Sequence, residues 1–209
     1  MVRGGRKPVQ ERTPLTLSAP VAREELHTRR LEVRGFRRAD GLYDIEGHLT
    51  DSKAHAYDLR EQSLAPGEPI HDMWLRLTVD PDFIVRSAEA WTAKGPYSIC
   101  AEVNPSFARL AGLKIAAGWN RKVHERIGGV RGCTHLIEML GQMGTTAFQA
   151  MLPDLAARSG RDASAPSPEL IDSCYTYRAD GPMIRSEFPR LFAERETAQA
   201  QAKAHAEPS

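Results

Sequence analysis

Cys133 and His135 are the pair in this chain whose types and spacing most directly suggest chemistry. They lie in the run Arg131-Gly132-Cys133-Thr134-His135-Leu136, with Gly128 and Gly129 just upstream. Leu136, Leu140, Met143, Ala147 and Met151 follow at near-helical spacing, so the pair marks a helix start. A helix N-terminus favours thiolate over thiol, which makes a cysteine there a better nucleophile and a better metal ligand. Two positions apart inside a regular helix, the two side chains would point to opposite sides. They converge only where Cys133 occupies the cap, with its backbone still non-helical. In that geometry they form a thiolate–imidazolium pair or ligate one metal. The plainer reading makes Cys133 a small buried hydrophobe and has His135 bonded to a carbonyl.

Other polar residues at element ends could meet this pair. His71-Asp72 opens an alternating apolar segment after Pro69, while His48, Asp51 and His55 lie at and after the end of the segment before it. Strand alternation sends His71 and Asp72 to opposite faces, so at most one of them joins a given site. The candidate metal ligands are therefore His71, Asp72, Cys100, Cys133 and His135, and the candidate catalytic residues are Cys133 and His135. Zinc or iron accepts such mixed nitrogen, oxygen and sulfur donors. No CxxC pair or His-Glu-x-x-His is present, so the expectation rests on residue type and placement. The plainer reading of His48 and His71 is polar residues at exposed strand ends. Asp44 and Glu46 share a strand face opposite Arg34, Arg37 and Arg38, which reads as cross-strand ion pairing. No Gly-rich phosphate loop and no GxSxG elbow occurs, which disfavours nucleotide-binding and α/β-hydrolase folds.

The elements that must position these residues follow from periodicity. Residues 28–50 read as an antiparallel hairpin around Ala39-Asp40-Gly41. Its faces carry Leu31, Val33 and Gly35 on one strand and Tyr43, Ile45, Gly47 and Leu49 on the other. A third strand runs from Ile70 to Val79, with Met73, Leu75, Leu77 and Val79 inward and Trp74, Arg76 and Thr78 outward. Asp80-Pro81-Asp82 turns the chain into a fourth strand, Phe83 to Trp91. After Gly95-Pro96 the pattern becomes helical: Asn104-Pro105 starts a short helix over 106–113, another fits 119–127, and Thr134 to Leu152 is the clearest. The expected fold is α+β, a four-stranded antiparallel meander with C-terminal helices packed on one face. The chain divides into a basic, Pro-containing arm (1–24), a core domain (25–157), a linker and docking tail (158–192) and a fraying helical tail (193–209).

Bulk properties narrow the function classes. A length of 209 residues suffices for one domain with a real core plus tails. A net charge of +1 gives no electrostatic reason to expect nucleic acid or an acidic membrane as partner. No stretch approaches the roughly 20 apolar residues of a membrane span, and no apolar leader follows the basic N-terminus. Three widely separated cysteines, Cys100, Cys133 and Cys174, make no disulfide framework, so the expected setting is reducing and cytoplasmic.

The segments Gly35-Phe36-Arg37-Arg38, Asp40-Gly41-Leu42-Tyr43-Asp44-Ile45-Glu46-Gly47, Pro69-Ile70-His71-Asp72-Met73 and Gly132-Cys133-Thr134-His135-Leu136 stand together in this order. Taken together they resemble a bacterial family known as domain of unknown function 2889. The resemblance spans about residues 28–190 and implies no activity. The order sheet, Cys100 before the Pro105 helix, then Cys133 before the long helix is also similar to the U-type iron–sulfur cluster scaffolds, although their middle cysteine has no counterpart here.

Three functional expectations result. The first is a small enzyme or metal-binding protein acting on a small molecule through Cys133 and His135, with His71, Asp72 or Cys100 converging on them. The second is sulfur or iron–sulfur handling through Cys100 and Cys133. The third is a non-enzymatic binding module using the basic arm and the 171–192 tail.

Overall fold

The computed structural model describes residues 17–160 and 170–206. The arm expected over 1–24 therefore lies outside the described residues as far as position 16, and the linker does so over 161–169. The first hairpin pairs β1 (His27–Arg37) with β2 (Tyr43–Lys53). Gly41 closes its turn at φ 83°, a left-handed conformation that costs a residue without Cβ little. The connection after β2 folds into a small ribbon of β3 (Tyr57–Asp58) and β4 (Ser63–Leu64), which alternation had not indicated. β5 (Pro69–Val79) and β6 (Val85–Lys94) complete a four-stranded antiparallel sheet of order β1-β2-β5-β6. The α+β meander expected from the pattern is the observed fold.

Alternation decides which face is covered. Tyr43, Ile45 and Leu49 of β2 and Met73, Leu75, Leu77 and Val79 of β5 are buried on one side. Against them lies α2 (Thr134–Arg158), which buries Leu136, Met139, Leu140, Met143, Ala147 and Met151 at helical spacing. The helix comes close because the sheet offers glycines beneath it. A Cβ at Gly35 would stand 2.6 Å from the Cβ of Ala150.

The helix expected over 106–113 is instead a 3-10 segment, Ser98–Leu110. Pro105 lies inside it and has no N–H to donate to a helical ladder. Phe107 and Leu110, three apart, are its buried residues, and a 3-10 turn places i and i+3 on one side. α1 (Trp119–Ile127) buries Trp119, Val123 and Ile127. The indole N–H of Trp119 donates to the Leu140 carbonyl at 2.9 Å and ties α1 to α2. The tail forms α3 (Pro182–Glu187) and α4 (Pro189–Ala206). No helix among the described residues is long and apolar enough to cross a membrane.

Candidate metal centre

The inward alternation of the strands does not stop where the apolar residues do. After Tyr43, Ile45, Gly47 and Leu49, the next inward position of β2 is Asp51, whose relative exposure is 0%. Register then assembles a row across three strands: Arg29 of β1 stands opposite Asp51, and Asp51 stands opposite His71 of β5. The β2–β5 ladder shifts register just after Asp51, an irregularity of the kind that re-aims side chains next to sites. α2 supplies the fourth component. Cys133 is its N-cap, with extended backbone (φ −110°, ψ 130°), and His135 is the second helical residue.

Asp51 is the hub. Its Oδ1 accepts from Arg29 Nε at 2.8 Å and lies 3.2 Å from His27 Nε2. Its Oδ2 accepts from Arg29 Nη2 at 2.9 Å. That oxygen also stands 3.0 Å from His71 Nδ1 and 3.7 Å from His135 Nε2. The two imidazoles face each other with centroids 3.9 Å apart and planes 35° from parallel. His71 Nδ1 is buried without a hydrogen-bond partner: near as Oδ2 is, it lies out of line for a bond. Arg29 reaches on to Glu138 of α2, at 3.0 Å, and so braces the cluster from the helix side.

Burial would push the Asp51 carboxyl up, but the Arg29 hydrogen bonds and charge, with the two imidazoles His71 and His27, outweigh it and hold the group below its usual range. Burial pushes His71 down, and the neighbouring His135 and Arg29 add to this against the pull of Asp51. Burial likewise lowers His135, with Arg29 contributing. At neutral pH the site therefore holds one ionised carboxylate and two neutral imidazoles, the protonation states in which these groups bind metal.

One ligand atom from each of Asp51, His71 and His135 lies within 4.8 Å of the others. Metal bonds of about 2.0–2.1 Å at tetrahedral angles place ligand atoms about 3.3 Å apart. The contacts of Asp51 Oδ2 with the two rings, 3.0 and 3.7 Å, bracket that edge. The donor set, two imidazoles and one carboxylate, suits zinc or ferrous iron and leaves coordination positions for water or substrate. The orphaned His71 nitrogen fits the same arrangement, because a metal would give its lone pair a partner.

His71 and His135 are thus brought together, and Cys133 joins at the rim: its Sγ lies 3.8 Å from His135 Nδ1, the ring nitrogen facing away from Asp51. Asp72 points to the other face of the sheet, where it pairs with His48 at 2.8 Å. Cys100 sits in the 3-10 segment against Gly95 and is not one of the clustered ligands. Arg29 and His27 are not among the residues the sequence singles out, and Asp51 is named there as a strand-end residue but not among the candidate ligands. The signal that finds them is parity: each continues the inward set of its strand beyond the last apolar residue.

A family model described as "Protein of unknown function (DUF2889)" matches residues 27–149. That span contains every residue of the cluster, from His27 to His135. No curated protein and no solved structure matches the chain. With more than half its length inside the match, the chain belongs to the DUF2889 family.

Proposed function

We propose that Asp51, His71 and His135 bind one divalent transition metal, zinc or ferrous iron, and that the protein is a small metal-dependent enzyme acting on a small molecule. The observation that carries this reading is the convergence of the fully buried Asp51 carboxylate on two imidazoles, one of which has an unpartnered buried nitrogen. A metal held this way supplies Lewis acidity and a bound water of lowered pKa. The chain's own residues prepare the site. Arg29 fixes both carboxylate oxygens of Asp51, and the position of His135 in the first turn of α2 turns Nε2 toward Asp51. The test is elemental analysis of protein purified after growth with added zinc and iron. One metal ion per chain is expected, and it should be lost in both His71→Ala and His135→Ala. Wild-type protein that carries no metal and shows no calorimetric binding of Zn²⁺ or Fe²⁺ would overturn the reading.

A second reading rests on the approach of Cys133 Sγ to His135 Nδ1 at the start of a 25-residue helix. There His135 acts as base and Cys133 as nucleophile toward an electrophilic small molecule. Alkylation of Cys133 by iodoacetamide at pH 7 separates the two readings. Rapid labelling that slows sharply in His135→Ala supports the nucleophile. Labelling no faster than that of the exposed Cys174 excludes it.

A further inference from the structure

The opposite face of the sheet carries a second constellation, independent of the metal centre. His48, Trp74 and Trp91 form one cross-strand row on β2, β5 and β6. Glu46, Arg76 and Glu89 form the neighbouring row. His48 stacks on Trp74 with centroids 3.7 Å apart and planes within 9°, and its Nε2 is held by Asp72 at 2.8 Å. β5 lies between β2 and β6, so Trp91 stands on the opposite side of Trp74 from His48. Trp74 and Trp91 line a groove of about 420 Å³ together with the charged row of Glu46, Arg76 and Glu89 at one end. That volume falls within the ~300–1,000 Å³ of small-molecule sites. Trp74 is 39% exposed and Trp91 60% exposed, although burial elsewhere in this sheet would have rewarded both.

We infer that this groove binds a planar nitrogen heterocycle with adjacent N–H donors, of the purine or pteridine kind, presented without phosphate. The aromatic walls select a flat π-system, since ring stacking tolerates many bases and does not depend on edge contacts. The charged end selects the edge. Arg76 donates to Glu46 at 2.8 Å but lies 3.9 Å from Glu89, so the Glu89 carboxylate keeps acceptor capacity. Carboxylates accept from paired ring and exocyclic N–H groups, as they do from base edges in nucleic-acid recognition. Two carboxylates against one guanidinium oppose a phosphate backbone, which needs cationic partners. The occupant is therefore a free base or nucleoside and not a nucleic acid strand.

The test is calorimetric titration of the full chain with guanosine and with pterin, using maltotriose and a poly(U) strand as comparison probes. Saturable binding of guanosine or pterin is expected, weakened about ten-fold or more by Trp91→Ala. Glu89→Gln should weaken it too while leaving the wall intact. Both positions are exposed on the sheet surface, so both variants should retain the wild-type circular dichroism spectrum. Failure of both heterocycles to bind, preference for maltotriose or poly(U), or unchanged affinity in either variant overturns the inference. The metal content of wild-type protein is read separately, so neither result decides the other.

Discussion

Asp51 and His71 stand directly opposite each other across β2 and β5, with Asp51 Oδ2 3.0 Å from His71 Nδ1 on the covered side of the sheet. An antiparallel ladder fixes this pairing as firmly as it fixes the apolar pairs beside it, Leu49 with Met73 and Gly47 with Leu75. Polar residues at such positions are costly unless partnered. Here a guanidinium satisfies Asp51, and His71 Nδ1 waits for a partner. A bound metal should therefore stabilise the fold as well as supply chemistry. At a free zinc concentration about 100 times Kd the gain is about 2.7 kcal/mol. Thermal melting with and without Zn²⁺ checks it: the wild-type midpoint rises and the His71→Ala midpoint does not.

Arg29 is the counter-charge on which a buried Asp51 depends. Arg29→Ala leaves that carboxylate, itself fully buried, without its main partner. Removing one partner of a buried ion pair costs about 3–5 kcal/mol, and the partial exposure of Arg29 points to the lower end. Urea denaturation of metal-free protein should show a loss of about 3 kcal/mol. Arg29→Lys should recover part of it, since an ammonium restores charge but not the bidentate fork.

Acid should destabilise the metal-free fold in two steps. The folded state holds His71 and His135 below the ordinary imidazole pKa, so below about pH 6.5 the unfolded chain binds more protons than the folded one. Stability then falls as pH drops through that value toward the folded-state pKa values. Asp51 is held below its ordinary range, so its contribution is intact above about pH 4 and is lost as pH falls through its folded pKa. Both effects have the same sign. Denaturation midpoints measured from pH 7.5 to pH 3 should decline throughout, and His71→Leu should flatten the upper part of that decline.

Much of this architecture is legible in the sequence because a strand repeats every two residues. The inward sets Tyr43, Ile45, Leu49 and Met73, Leu75, Leu77 define the core face without any knowledge of the partner strand. The cluster is harder to see. Asp51 and Arg29 have the right parity but the wrong polarity for a core reading, and only register puts them opposite each other. The hairpin turn sets that register, but the pairing of Asp51 with His71 also depends on the irregularity after Asp51 and on the β3–β4 ribbon, neither of which leaves a periodic trace. His135 lies 64 positions from His71, so their meeting is a property of helix packing and not of local pattern. The cap position of Cys133 was readable as a condition for its approach to His135, but whether the chain met it depended on backbone angles.

Gly35 sets how close α2 comes to β1. A Cβ there would stand 2.6 Å from Ala150 Cβ, a backbone-anchored atom that cannot swing aside. Gly35→Ala should gain about 0.5 kcal/mol from strand propensity and lose about 1–3 kcal/mol from overpacking. The net loss appears in urea denaturation. In an Ala150→Gly background the penalty should shrink by more than half, because the second change removes the colliding atom.

Cys133 meets the nitrogen of His135 that the cluster does not use. His135 Nε2 faces Asp51 at 3.7 Å, and Nδ1 faces Cys133 Sγ at 3.8 Å. With Nδ1 carrying the proton, the sulfur accepts it weakly and Nε2 presents a lone pair to the metal, the arrangement that outer partners impose on histidine ligands. Loss of such a partner typically costs 10–100-fold in metal affinity, and the longer reach of sulfur places this one near the lower figure. Cys133→Ala should weaken Zn²⁺ binding about ten-fold in chelator competition, and Cys133→Ser should weaken it less. Affinity alone would not separate orientation from packing. The tautomer of His135, read from long-range proton–nitrogen NMR couplings, does: Nδ1–H should dominate in the wild type and give way to a mixture in Cys133→Ala. An unchanged tautomer together with unchanged affinity would show that Cys133 only fills space at the cap.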